Sequence, residues 1–174
     1  MSYQPAEDSF LLVREIKEKA KGKSVLDMGT GFGILADTAI KAGASSVLAA
    51  DVNESSVRYC LAKGINAIQS DLFSNIQGKF DLIFFNPPYL PQDEREDKES
   101  QQVTTGGKKG DEIIIKFIKN LKIHLKENGV CFLLASTLTP NNWKKEAKKQ
   151  KLKIKKTAEK KLFMEKLFVW EIRL

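Results

Sequence analysis

Val25-Leu26-Asp27-Met28-Gly29-Thr30-Gly31-Phe32-Gly33 reads as a short apolar run, an acid, and then a glycine-rich turn. The apolar run predicts a strand over Ser24–Met28. Glycines at this density predict a turn through which a ligand can approach backbone N–H groups closely. Ile34 to Ala42 then carries a helical pattern, stopped by Gly43. Strand, glycine turn and helix form the opening unit of a doubly wound sheet. The spacing is Gly-x-Gly-x-Gly rather than the Gly-x-Gly-x-x-Gly of dinucleotide binders. An acid directly before the loop repels a pyrophosphate and suits a ligand amino group or a sulfonium.

Working outward, strand and helix patterns alternate, which implies an α/β domain with a mainly parallel sheet. Ala6 to Ala20 reads as a helix upstream. Ser46 to Ala50 is a second strand ending at Asp51, and Asn53 or Glu54 opens a helix to Lys63 that Gly64 terminates. Ile65 to Gln69 is a third strand, short and half polar as at a sheet edge. Lys79 to Phe85 is the fourth. Leu90 to Lys109 lacks periodicity, the mark of a functional or mobile loop. Asp111 to Lys126 repeats apolar residues at helical spacing, and Asn128-Gly129 turns into the strand Val130–Ala135. Pro140 starts a further helix, to about Gln150. Two strand-like pieces, Leu152–Thr157 and Leu162–Ile172, are expected to pair antiparallel. The whole chain, residues 1–174, is expected to form a single domain.

No apolar run approaches the roughly 20 residues of a membrane span. Met1 to Asp8 lacks the basic and apolar regions of a signal peptide, so a cytoplasmic, membrane-free protein is expected. Cys60 and Cys131 each lie inside an apolar element and read as buried free thiols, with no metal site. Net charge is +7, unevenly spread. Residues 141–161 hold ten Lys and two Glu, a local +8, which leaves 19 basic against 20 acidic residues elsewhere. That segment is either a solvated helix face and exposed strand or a docking surface for an RNA-rich or acidic partner. His124, Trp143 and Trp170 read as packing residues.

Three acids carry the chemistry of the first strands. Asp27 precedes the glycine loop, Asp51 ends the second strand, where it can accept hydrogen bonds from ribose hydroxyls, and Asp71 follows the third, within reach of an adenine amino group. Together they describe a site for S-adenosylmethionine. Asn86-Pro87-Pro88-Tyr89 follows the fourth strand. The prolines fix φ and remove backbone donors, so local carbonyls must find other donors, and a substrate amino group is one. The Asn86 side-chain oxygen and the Pro87 carbonyl can each accept a hydrogen bond from a planar NH2 group, with Tyr89 packed against it.

On these segments the chain resembles the class I S-adenosylmethionine-dependent methyltransferases. More closely, it resembles the HemK/PrmC-like protein-glutamine methyltransferases that modify class 1 peptide-release factors. Gln4-Pro5-Ala6-Glu7-Asp8-Ser9 is the most discriminating match, beside Leu26 to Gly33, Asn86 to Tyr89, and Thr105-Gly106-Gly107 with Lys109-Gly110-Asp111. The resemblance implies a Rossmann-like, seven-stranded, mainly parallel sheet with an antiparallel C-terminal strand and helices on both faces. It implies cofactor contacts at Ser9, Asp27, Gly29, Gly31, Asp51, Asp71, Leu72 and Asn86, and catalytic roles for Asn86, Pro87, Pro88 and Tyr89. An N-terminal helical domain like that of bacterial members is not expected, and the chain resembles the short eukaryotic and archaeal branch. That branch implies a small zinc-binding activator protein docked on the outer strand, here Ile65 to Gln69. The chain departs from the family at Thr104-Thr105, where an aromatic residue often precedes the Gly-Gly pair. Other acceptors stay open, namely adenine N6 or cytosine N4 of a nucleic acid and a protein lysine, as does a non-catalytic scaffold that keeps the fold.

Overall fold

The computed structural model describes residues 7–90, 92 and 104–174, with side chains described from Phe10 onward. The segment Gln4-Pro5-Ala6 and most of the stretch 91–103 lie outside the described residues.

Seven strands form one sheet: β1 (Ser24–Met28), β2 (Ser46–Asp51), β3 (Ala67–Gln69), β4 (Phe80–Phe85), β5 (Leu125–Ser136), β6 (Lys153–Lys161) and β7 (Lys166–Arg173). Their order is β3-β2-β1-β4-β5-β7-β6. β1 to β5 run parallel, while β7 is antiparallel to both its neighbours. The chain reverses its winding at β1, between β2 and β4. That reversal opens the crevice in which ligands bind at the carboxyl ends of such sheets. The sequence expectation of a mainly parallel sheet with an antiparallel C-terminal strand holds.

Helices α1 (Glu7–Lys19), α2 (Ile34–Lys41) and α3 (Glu54–Ala62) cover one face. Leu12 and Ile16 of α1 are buried there with Val25, Phe84 and Phe132. Helices α4 (Glu112–His124) and α5 (Asn142–Lys149) cover the other, where Ile114, Phe117 and Trp143 pack on Ile83, Phe85 and Leu133. β4 and β5 thus supply alternate residues to both layers, which explains their continuous apolar runs. His124 does packing work: it stacks on Phe73 with ring centroids 4.5 Å apart, and its Nδ1 lies 3.0 Å from the Gly78 carbonyl. Cys60 and Cys131 are buried free thiols. No helix among the described residues is long and apolar enough to cross a membrane.

Three boundaries differ from the sequence reading. The third strand starts at Ala67, because Ile65 turns inward and is only 4% exposed, beside Gly33 and Cys60. Helix α4 ends at His124, and Leu125 already pairs with Phe80. Asn128-Gly129 is therefore an irregularity inside β5: Leu125 faces Phe80 but Val130 faces Leu82. A side chain at 129 would meet the Lys126 and Phe80 carbonyls at 2.9 Å, so glycine lets the strand bulge there. Finally, β6 continues through Lys161, and a turn closed by Leu162 N–H donating to Glu165 joins it to β7.

Candidate active site

The glycine loop is fixed by β2. Gly29 and Thr30 donate N–H bonds to the Ala50 carbonyl at 2.8 and 3.0 Å, and Gly31 donates to Asp51 Oδ2 at 2.9 Å. Gly29 has φ +67°, and a Cβ there would touch the Phe85 ring at 3.4 Å and the Asn86 carbonyl oxygen at 3.9 Å. This close approach joins the glycine loop to the start of the Asn-Pro-Pro-Tyr segment. The space above Gly31 is open to 4 Å.

Asp27 is fully buried at the end of β1. Its Oδ2 accepts from the Thr30 hydroxyl at 2.6 Å and from the Ala36 N–H at 3.0 Å. Its Oδ1 is buried with no hydrogen-bond partner among the described residues. A buried acceptor without a donor costs about 1–3 kcal/mol, so a ligand donor is strongly favoured there. Burial pushes this carboxyl up to about 7; the bonds from Thr30 and Ala36 pull it back, and Asp51 pushes it further up. A cationic amino group would reverse that shift.

Asp51 is half-buried, and its two oxygens accept one backbone N–H each, from Gly31 and from Asn53. A carboxylate offers about four lone-pair sites, so two remain for hydroxyl donors. β3 continues the line: Ser70 N–H donates to the Asp51 carbonyl, and Asp71 follows, exposed. Leu72 adopts φ +50°, a left-handed backbone that a leucine rarely takes. The Ser70 hydroxyl holds it there, donating to the Leu72 carbonyl at 2.6 Å and accepting from Asn75 N–H at 3.0 Å. Strain of this kind, held by its surroundings, concentrates where ligands are gripped. Asp27, Gly29, Gly31, Asp51, Asp71, Leu72 and Asn86 therefore line one edge of the sheet. Ser9 lies in α1, its side chain outside the described atoms.

This donor and acceptor set fits S-adenosylmethionine: an ammonium for Asp27, ribose hydroxyls for Asp51, an adenine beside Asp71 and Leu72. Residues 6–163 match the family profile described as the methyltransferase small domain. The chain belongs to that family. It is 42% identical over 147 residues to a candidate protein N5-glutamine methyltransferase of Methanocaldococcus jannaschii, covering 79% of this chain and 73% of that one. A release factor glutamine methyltransferase of Fusobacterium nucleatum is 33% identical over 100 residues, 52% of this chain and 27% of its own. In fold, the chain matches the E. cuniculi Mtq2-Trm112 complex, described as responsible for methylation of the eRF1 translation termination factor. That match has TM-score 0.81 and 24% identity, over 99% of this chain and 98% of that one. The protein is an S-adenosylmethionine-dependent methyltransferase.

The segment after Asn-Pro-Pro-Tyr makes contacts that the sequence motifs did not reveal. Leu90, directly after Tyr89, pairs with Thr105 in a β-bridge, and Gly106 N–H donates to the Leu90 carbonyl at 2.9 Å. A side chain at 106 would collide with the Gly110 carbonyl and come within 2.7 Å of the Pro88 carbonyl oxygen. Glu112 fastens the same turn: its carboxylate accepts the N–H groups of Lys109 and Gly110. Burial raises the Glu112 carboxyl, but those backbone bonds outweigh it and hold the group below the usual range. An acid in the first turn of α4, five residues after Gly107, was the only sequence signal for this clamp.

Proposed function

We propose that this methyltransferase modifies the side-chain amide nitrogen of a glutamine, that of the Gly-Gly-Gln loop of a class 1 peptide-release factor. One observation carries the reading: Asn86 leaves β4 beside Gly29, so the Asn-Pro-Pro-Tyr segment starts next to the glycine loop. When bound, S-adenosylmethionine supplies a methyl group on a positively charged sulfur. Asp27, Asp51, Asp71, Leu72, Gly29, Gly31 and Ser9 hold that cofactor. The Asn86 side-chain oxygen and the Pro87 carbonyl accept the two hydrogens of the target NH2 and aim its nitrogen. Pro88 keeps the segment stiff, and Tyr89 packs on the flat amide. An amide nitrogen is a poor nucleophile, so orientation does most of the work, worth about 7–11 kcal/mol in well-aligned systems.

The same reading includes a small zinc-binding activator protein at the β3 edge and action in the cytoplasm. Support comes from the likeness to the Mtq2-Trm112 complex and from apolar residues beside that edge. Val52 is 66% and Leu61 52% exposed, whereas Ile65, expected to form this surface, is buried. The docking face is thus the α3 side of the edge, continued by half-buried Ile68.

The test is transfer of labelled methyl from S-adenosylmethionine to release factor, to release factor with the loop glutamine changed to alanine, and to nucleic acid, with and without the activator. Label in the first alone is the expected outcome. Label in nucleic acid alone overturns the glutamine assignment, and full activity without activator overturns the partner.

A further inference from the structure

On the α5 face of the sheet, Phe168 and Trp170 of β7 stand side by side with ring centroids 6.2 Å apart. Trp143 closes on Trp170 edge-on at 5.6 Å. Two ammonium groups converge on this pair from different elements. Lys144 Nζ, on α5, lies 4.0 Å from the centre of the Trp170 ring, and Lys156 Nζ, on β6, lies 5.0 Å from that of Phe168. Lys156 shares Glu159 with Lys166, but Lys144 makes no ion pair among the described residues. Burial and the neighbouring Lys156 both hold the Lys144 ammonium below its usual pKa.

Trp143, Lys144, Phe168 and Trp170 border a cavity of about 200 Å³ whose floor is Ser136, Thr137 and Thr139. Each floor hydroxyl accepts a backbone N–H: Ser136 from Leu138 at 3.0 Å, Thr137 from Lys166 at 3.1 Å, Thr139 from Ser136 at 3.0 Å. A hydroxyl used as an acceptor keeps its proton to donate. The cavity therefore offers aromatic walls, O–H donors and the Lys144 ammonium, with Lys156 near its Phe168 wall, and both lysines belong to the segment whose local charge is +8. Phe163 stands fully out in solvent at the β6–β7 turn, close in sequence to Lys160, Lys161 and Lys166.

We propose that this surface binds single-stranded RNA. A base stacks on Trp170 and Phe168 in place of the Lys144 side chain, which moves onto a flanking phosphate with Lys156. The floor hydroxyls meet the ribose 2′-OH and the base edge. Anions of any kind satisfy the lysines, but only a planar π-system uses the aromatic walls, which argues against an acidic peptide. A cavity this size takes an unstacked base and not a duplex, and hydroxyl donors facing a sugar favour ribose over deoxyribose. The site lies at the carboxyl end of β5, next to β4, so bound RNA would flank the Asn-Pro-Pro-Tyr segment.

Fluorescence anisotropy with a labelled oligouridylate of about 10 nucleotides tests this. The double variant K144Q/K156Q, altered on half-exposed or exposed side chains, is expected to lose at least about tenfold in affinity. Its log–log salt slope should fall by about 1.4, the loss of two phosphate contacts on a single strand. Phe168→Ala is expected to lose about tenfold through stacking alone. Lys41→Gln, on α2 at the opposite face, should bind as the unaltered protein does. Thermal melting checks that each variant is folded. Undiminished binding by K144Q/K156Q overturns the proposal. So does competition by polyglutamate of equal length, or equal affinity for the matching DNA strand.

Discussion

The loops after β1, β2 and β3 are tied by backbone bonds to the end of β2, whereas the loops after β4 and β5 are packed by later turns, at 104–110 and at Lys166. In the first half, Gly29, Thr30, Gly31 and Ser70 all donate to Ala50 or Asp51. In the second, Pro88 is packed by Gly106, Leu90 pairs with Thr105, and Thr137 accepts from Lys166. The two halves also differ in charge: buried and half-buried acids on one side, lysines and aromatic rings on the other. Backbone bonds to one strand end hold the acid-lined loops, and packing from later turns holds the segments after β4 and β5.

The largest effect expected is on the acceptor half. Asn86→Ala should lower kcat by at least about 10²–10³, as loss of one aligned polar contact does in other sites. Calorimetry should meanwhile find cofactor affinity within a few-fold of the unaltered protein. Near-normal turnover would remove Asn86 from the mechanism. Next comes Gly106→Ala, which forces the 104–110 turn off the Pro88 carbonyl. Misplacement of about 1 Å costs about 10² in rate, so a fall in kcat with KM for cofactor unchanged is expected. If cofactor binding falls as far as kcat, the two halves are not separate.

Asp27→Asn breaks the other side. It should weaken S-adenosylmethionine by about 1.5–3 kcal/mol, the worth of a hydrogen bond to a charged group. Its effect on kcat at saturating cofactor should be small. Unchanged affinity would place the ammonium elsewhere. The smallest effect is pH dependence. The folded pKa of Asp27, about 7, lies above the ordinary aspartate value of 3.8. Such a raised carboxyl favours the fold below the unfolded pKa and loses that contribution as pH rises through the folded one. The cofactor-free protein should therefore lose stability between about pH 4 and 7, and D27N should flatten that slope in melting curves. Binding of the cationic cofactor selects the ionised carboxylate, so below pH 7 it should release a proton, readable from calorimetry in buffers of different ionisation heat. Asp81 works in the opposite sense. Burial raises it, yet bonds from Ser24 and Lys126 hold it near about 2, so its contribution is lost only in strong acid.

Much of the first half was legible in the sequence, because the residues that matter there are glycines and acids at strand ends. Gly29 to Gly33, Asp27, Asp51 and Asp71 stand where the pattern places them. Leu72 was legible only through family resemblance; its left-handed backbone depends on the Ser70 hydroxyl, which no local propensity reveals. The third strand was read too long because Ile65, an apolar residue before Ala67, belongs to the core between α2 and α3. Asn128-Gly129 was read as a turn because the same pair marks hairpins, yet β5 continues through it as a bulge. Gly106 was legible only as part of the Thr105-Gly106-Gly107 family match and Glu112 only as an acid in the first turn of α4, while the Phe168–Trp170–Lys144 cluster, drawn from β7 and α5, gave no readable signal.

The sequence by itself determined the winding of the sheet, the cofactor edge and the reaction type, because these follow from short periodicities and from residues whose chemistry is local. Only the tertiary structure decided what closes over the acceptor segment, which face of the β3 edge is apolar, and where the surplus lysines meet aromatic rings. Those arrangements depend on packing between elements tens of residues apart, which strand and helix patterns do not encode.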